Sequence, residues 1–224
     1  MKYALLILSV TFLAGCVSGS IWVSNPNDLN NVAIEKAIRK QLMKPSGRLT
    51  KKKLDMVDSL AITSSQLTSV KELGMLTELR FLDLYNNDLT DVNGLEGLVR
   101  LESLNLGENQ LTDIGALSGL TRLKSLTLGE NKLTSVEPLE YLTDLESLDL
   151  YNNNLTGVEG LGKLVKLRSI YLDGNQLSTV EGLQLLPRLE NLWLSGNPDM
   201  TRAYIDKLQK ALPNCNITPR FYGQ

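Results

Sequence analysis

Apolar residues return along this chain with two superimposed periods. The longer is 22 residues: Leu79, Leu101, Leu123, Leu145, Leu167 and Leu189 are equally spaced, and Val57 extends the series backwards. Seven registers therefore run from residue 57 to residue 199. Within one register the pattern is LxxLxLxxNxLTxVxxLxxL, as in Leu79, Leu82, Leu84, Asn87, Leu89, Val92, Leu95 and Leu98. The shorter period changes within a unit. Leu82 and Leu84 alternate with polar neighbours, the period of a short strand with its leucines inward. Val92, Leu95 and Leu98 recur every third residue, which predicts 3₁₀-like turns on the return path. One such unit leaves its aliphatic ridge wet, so successive units must stack to bury it. The pattern predicts an α/β repeat solenoid, with short parallel strands on a concave face and 3₁₀-like turns on the convex face.

Asn87, Asn109, Asn131, Asn153, Asn175 and Asn197 share the position where the strand must bend. An amide has two donors and an acceptor, so an inward Asn can satisfy backbone groups of its own and the neighbouring turn. A calcium or catalytic row is the competing reading, but backbone satisfaction already explains a repeating buried amide. Ser65 replaces Asn in the first register, as terminal units are expected to be irregular. Helical caps are expected at both ends. Between Asp28 and Met43, Ile34, Ile38 and Leu42 share one helical face, Pro45-Ser46-Gly47 stops the helix, and Thr50 can cap a second short helix through Leu54. At the other end Tyr204, Leu208, Ala211 and Leu212 share a face before Pro213.

The 22-residue unit resembles the leucine-rich repeats of bacterial internalins and of the eukaryotic phosphatase-regulator class, over nearly the whole chain after residue 16. That resemblance implies that the Asn row is the asparagine ladder of such repeats. It also implies that LPNCNI, around Cys215, belongs to a C-terminal cap with the cysteine buried. A non-catalytic protein-binding role follows by the same route, with adhesion to host cells as a variant. Phosphatase regulation fits poorly with an exported chain.

Export is read from residues 1–16, MKYALLILSVTFLAGC: one Lys, an apolar run from Ala4 to Leu13, then small residues. This is the layout of a secretory signal, and the run is shorter than the roughly 20 residues of a membrane span. Leu13-Ala14-Gly15-Cys16 resembles the lipobox of bacterial lipoproteins. The resemblance implies cleavage before Cys16, acylation of that residue, and a membrane anchor. Because Val17 and not Asp follows, it also implies the outer membrane in a Gram-negative host. The expected organisation is a signal peptide over 1–15, a lipidated tether over 16–27, a helical cap over 28–56, seven repeats over 57–199 and a C-terminal cap over 200–224. Within the tether, Trp22 either sits at the lipid headgroups or packs on the first cap.

Composition narrows the chemistry. The 224 residues contain no His, which removes imidazole catalysis and most zinc sites. Two cysteines cannot build a disulfide scaffold, and a net charge of −2 gives no reason to expect nucleic acid as a partner. No cofactor or metal is expected. Charge is nonetheless divided: eight Lys or Arg lie between Lys36 and Lys53, whereas residues 57–199 hold 21 acidic and ten basic residues. The basic run is either a surface for anionic headgroups or a solvated helix face.

Function is expected on the outward strand positions, which folding leaves free. Ala61, Asp83, Asn105, Thr127, Asp149, Tyr171 and Trp193 form the central row. Tyr171 and Trp193 are adjacent, with Tyr151 one register from Tyr171, and neighbouring exposed aromatics are the usual anchors of protein interfaces. Phe81 with Tyr85 makes a second cluster, and the Ser, Asn, Thr and Gly between them form a shallow floor. Asp83, Glu102, Glu130, Glu146, Asp149 and Glu190 would draw a basic partner. Binding of peptidoglycan or another glycan through the same aromatics is the alternative. Asp149 and Asp173 could be imagined as a glycosidase pair, but nothing in the repeat closes a pocket around them.

Overall fold

The computed structural model describes residues 22–218. The expected signal peptide, Cys16 with the start of the tether, and the chain after 218 lie outside the described residues. Helix α1 (Leu29–Gln41) and the short α2 (Lys51–Leu54) precede strands β1 (Ser59–Ala61), β2 (Phe81–Asp83), β3 (Ser103–Asn105), β4 (Ser125–Thr127), β5 (Ser147–Asp149), β6 (Ser169–Tyr171) and β7 (Asn191–Trp193). Helix α3 (Arg202–Ala211) and β8 (Asn216–Thr218) follow. All eight strands form one parallel sheet in sequence order. From β1 to β7 each residue pairs with the residue 22 positions on, so Leu82 faces Leu104 and Leu104 faces Leu126. This is a leucine-rich repeat solenoid, with the strands on its concave side.

The strands are short because their middle residue alone points inward, yet the ladder outlasts them. Leu84 donates its N–H to the Asn105 carbonyl at 2.8 Å and Asn86 to that of Gly107 at 2.9 Å, and the equivalent bonds recur in later units. Each ladder then ends in a left-handed residue just before the Asn position: Ser64, Asn86, Glu108, Glu130 and Asn152 have φ between 49° and 55°, and Gly174 and Gly196 follow at 67° and 70°. Only the last two use the residue without a Cβ and two more use the tolerant Asn, so three bends, at Ser64, Glu108 and Glu130, hold a conformation that ordinary side chains resist.

What holds those bends is the asparagine row, whose six members are each no more than 7% exposed. Asn131 is representative. Its Oδ1 accepts the Leu111 N–H of the preceding unit at 2.9 Å. Its Nδ2 donates to Leu106 O of that unit and to Leu128 O of its own, both at 3.0 Å. One amide thus closes backbone groups that burial between stacked units hides from water. In the first unit, Ser65 gives its backbone N–H to Asn87 Oδ1 at 3.1 Å, so the next unit's Asn serves both.

The return path follows the period of three. Leu95, Leu98 and Leu101 each donate to the carbonyl three residues back. Regular 3₁₀ turns form at Lys71–Met75, Gly115–Leu117, Glu137–Tyr141, Leu161–Lys163 and Leu183–Leu185. The sidewall also carries charge. Asp58, Arg80, Glu102, Lys124, Glu146, Arg168 and Glu190 occupy one register and alternate in sign.

The caps differ from expectation in detail. Trp22 is buried: its backbone N–H donates to the Leu49 carbonyl at 3.0 Å and its indole N–H to Glu35 Oε2 at 3.0 Å. Residues from Trp22 onward therefore belong to the first cap and not to a free tether, and the headgroup position is not the one adopted. Burial alone would raise the Glu35 carboxyl, but hydrogen bonds from Ser24, Arg39 and Trp22 outweigh it and hold the group below the usual range. Asp28 caps α1 as its carboxylate accepts the N–H groups of Asn30 and Asn31. At the far end Ile205, Leu208 and Leu212 face the core, while Ala211 is exposed. Tyr204 uses its hydroxyl to accept the Val180 N–H at 2.9 Å. The eighth strand was not foreseen; β8 joins β7 with a spacing of 25 residues, because α3 and its loop are inserted between them. Among the described residues no helix is long and apolar enough to cross a membrane.

Candidate functional site

The outward positions of β5, β6 and β7 bring together the residues singled out above. Asp149 is registered with Tyr171, and Tyr171 with Trp193. The two rings stack, with centroids 4.0 Å apart and planes 6° from parallel. Parallel strands set two large flat side chains about one strand spacing apart, close enough for their rings to share a face. Each ring is half-buried, and each keeps a single unstacked face, Tyr171 on the Asp149 side and Trp193 on the Thr218 side.

Asp149 is the electrostatic exception of this face. Burial, with a smaller push from the Asp173 charge, raises its carboxyl from 3.8 to about 6. Its Oδ1 accepts the Tyr151 N–H at 3.0 Å, and Asp173 Oδ1 accepts the Ser195 N–H at 2.8 Å. The Asp149 bond, from the N–H of residue i+2 to the side chain of residue i, recurs at Asp83 with Tyr85 and at Asn105 with Gly107, both at 3.1 Å, whereas Asp173 reaches the next unit. These outward residues therefore also hold the strand's exit. The expectation that folding leaves the concave positions free is corrected here. Each of the two carboxylates raised as a glycosidase pair gives one oxygen to a backbone N–H, Asp149 at its own strand exit and Asp173 to the next unit.

The glycine floor is not open either. A Cβ on Gly129 would lie 2.3 Å from Cδ1 of Tyr151, and one on Gly107 3.4 Å from Cδ2 of Tyr85. The two tyrosines lean over the glycines from opposite sides, and both glycines are buried. Tyr85 fixes this pose by donating its hydroxyl to Glu108, a bond that also raises the phenol above its usual range. Phe81, 44% exposed, lies under the Arg80 guanidinium at 5.5 Å, while Tyr85 turns toward Gly107.

The acidic residues divide in the same way. Glu102 pairs with Arg80 at 2.6 Å and with Lys124 at 2.9 Å, and these partners hold its carboxyl low. Glu190 pairs with Arg168. Neither is the free anion expected for a basic partner. Glu130 and Glu146 form no ion pair among the described residues. Cys215 is buried in the C-terminal cap, and burial pushes its thiol up to about 11, far from reactive thiolate chemistry.

Comparison with known proteins agrees with this geometry. The family model for leucine-rich repeats in two copies matches residues 99–141 and 143–185. Among solved structures, an internalin (inlF) from Listeria monocytogenes is 29% identical with a TM-score of 0.77, covering 83% of this chain and 54% of its own. Internalin C2 from the same organism is 25% identical with a TM-score of 0.67, covering 84% of this chain and 92% of its own. A leucine-rich repeat protein from Leptospira interrogans is 29% identical with a TM-score of 0.59, covering 75% of this chain and 50% of its own. The chain thus spans about half the length of two of these three proteins. No curated protein matches the sequence.

Proposed function

We propose that this chain is a non-catalytic, lipid-anchored envelope protein that binds another protein through the β5–β7 end of its concave face. The observation that carries the reading is the Tyr171–Trp193 stack, half-buried and flanked by Asp149. A pre-stacked aromatic pair offers large contact area with little side-chain entropy left to lose on binding. With the two rings already stacked on each other, each has one face left to offer, which favours a protruding protein segment over the ring-by-ring stacking of a sugar chain. Anchoring at Cys16, with the outer membrane as its place in a Gram-negative host, is supported by the order of residues 1–17. The reading requires no cofactor and no metal.

The test is capture of envelope proteins on the wild-type chain and on Trp193→Ala, each before and after enzymatic digestion of peptidoglycan. A protein that survives digestion on the wild type and is lost on the variant is the expected result. Capture that disappears with the glycan, or is unchanged by Trp193→Ala, rejects the reading and favours an envelope-structural role. The anchor is tested separately by incorporation of a labelled fatty acid in cells, which Cys16→Ala should abolish.

A further inference from the structure

The outer side of the N-terminal cap carries a second surface, remote from β5–β7. Leu29, Val32, Lys36 and Lys40 recur every three or four residues along α1, Met43 follows just past its C-cap, and all five are exposed, Leu29 at 82% and Met43 at 88%. Beside this stripe lies a groove of about 750 Å³ whose lining includes Pro26, Val32 and Met43 together with Lys36, Lys40 and Lys44. Arg39 is engaged by Glu35 and Lys51 by Asp55. Lys36, Lys40, Lys44, Arg48 and Lys52 form no ion pair among the described residues. A helix face with large exposed apolar side chains between unpaired cations is the pattern of a segment that lies in a membrane interface.

Two further observations choose the occupant. Charge on the molecule is segregated, with eight Lys or Arg against three Asp or Glu over residues 28–56 and an excess of 11 acidic residues over 57–199. An anionic plane would attract the cap and repel the solenoid. The first described residues also adjoin this groove: Trp22 is fixed to Leu49 and Glu35, and Ser24, Asn25 and Pro26 line the groove. From Trp22 back to Cys16 the chain can reach at most about 20 Å.

We propose that this face of the cap docks on the anionic headgroups of a lipid bilayer, with Leu29, Val32 and Met43 at the acyl boundary and the acidic repeats held away. The nearness of a bilayer rests on the envelope-anchor reading, but the surface can be tested without the anchor. Residues 17–224 contain every described element of the fold and no lipidation site. Vesicles of phosphatidylcholine alone, and with about 30% phosphatidylglycerol, are sedimented with this chain in about 0.1 M salt. Binding at least about tenfold stronger to the anionic vesicles is expected, with a fall to the neutral level in Lys36→Glu/Lys40→Glu/Lys44→Glu. Leu29→Ser/Met43→Ser should weaken anionic binding about three- to tenfold while leaving its salt dependence in place. All five changes are at exposed positions, and circular dichroism checks that the fold is kept. Equal binding to both vesicles, binding to neither, or undiminished binding by the charge-reversed chain overturns the proposal. Fatty-acid labelling at Cys16 reports on the anchor alone, so failure of one reading is distinguishable from failure of the other.

Discussion

The row Asn87 to Asn197 and the row Asp83 to Trp193 sit four residues apart on the same units and repeat with the same spacing of 22. The first row never varies. The second reads Asp, Asn, Thr, Asp, Tyr, Trp and changes at every step. Both follow one strand register, so geometry cannot explain the difference. The inward row faces the same demand in each unit, a bend with backbone groups cut off from water, and one amide meets it each time. The outward row is half-buried throughout, but carries short polar side chains at one end of the sheet and an aromatic stack at the other. Repetition marks what the fold requires, and departure from it marks where the surface has been put to a particular use.

Substitution of the inward row should have the largest effect on stability. Asn131→Ala strands the Leu111 N–H and removes one of the two amide donors at each of the Leu106 and Leu128 carbonyls, which keep those of Asn109 and Asn153, and should lower stability by about 2 kcal/mol, read from the midpoint of urea unfolding. A change under about 0.5 kcal/mol would mean that water enters the stack and that the row is not structural. Trp193→Ala should do the reverse. It should weaken the captured partner by about 2 kcal/mol or more, roughly 30-fold, while Thr127→Ala on the same face changes binding less than about threefold. Equal losses at both positions would erase the contrast between the two ends of the sheet.

A smaller effect sharpens the comparison through pH. The Asp149 carboxyl takes up its proton at about 6 in the folded chain and near 3.8 when unfolded. Between those values the folded state holds more protons, so this group's contribution favours folding at low pH and is lost as pH rises through 6. Asp149→Asn should remove that slope between pH 4 and 6 and raise stability at pH 7.5 by about 1 kcal/mol, allowing for solvent screening on a half-open face. Thermal melts of both chains across that range check it. The smallest effect belongs to the sidewall. Glu102→Gln breaks its pairs with Arg80 and Lys124, and the resulting drop in melting temperature should be barely resolvable and should vanish in about 0.5 M salt.

Much of this was legible in the chain itself. Spacing of 22 gives the sheet register, because stacked units of equal length can align only one way, and the period-three leucines locate the return turns. What escaped reading depends on contacts between units or on conformations indifferent to residue type. Glu108 and Glu130 occupy left-handed bends that a glycine would have announced, as Gly174 and Gly196 do. Asp83 and Asn105 look like free surface until their bonds to the N–H two residues on are seen, although an Asx residue at a strand exit is itself a signal for that turn. The alternating signs of Asp58, Arg80, Glu102, Lys124, Glu146, Arg168 and Glu190 were visible at the 22-residue spacing, but reading the acids alone made Glu102 and Glu190 seem unpaired. Strand β8 escaped because it returns after 25 residues and lies outside the period.

The aromatic end of the concave face is proposed to grip a protein. A photo-crosslinking residue placed at position 171 in the native chain, in cells, with Trp193→Ala as the companion variant and mass spectrometry of the adducts, tests it most directly. One dominant protein adduct that disappears in the variant is the predicted result. Adducts confined to glycan or lipid, or a protein adduct that the variant leaves unchanged, would contradict it.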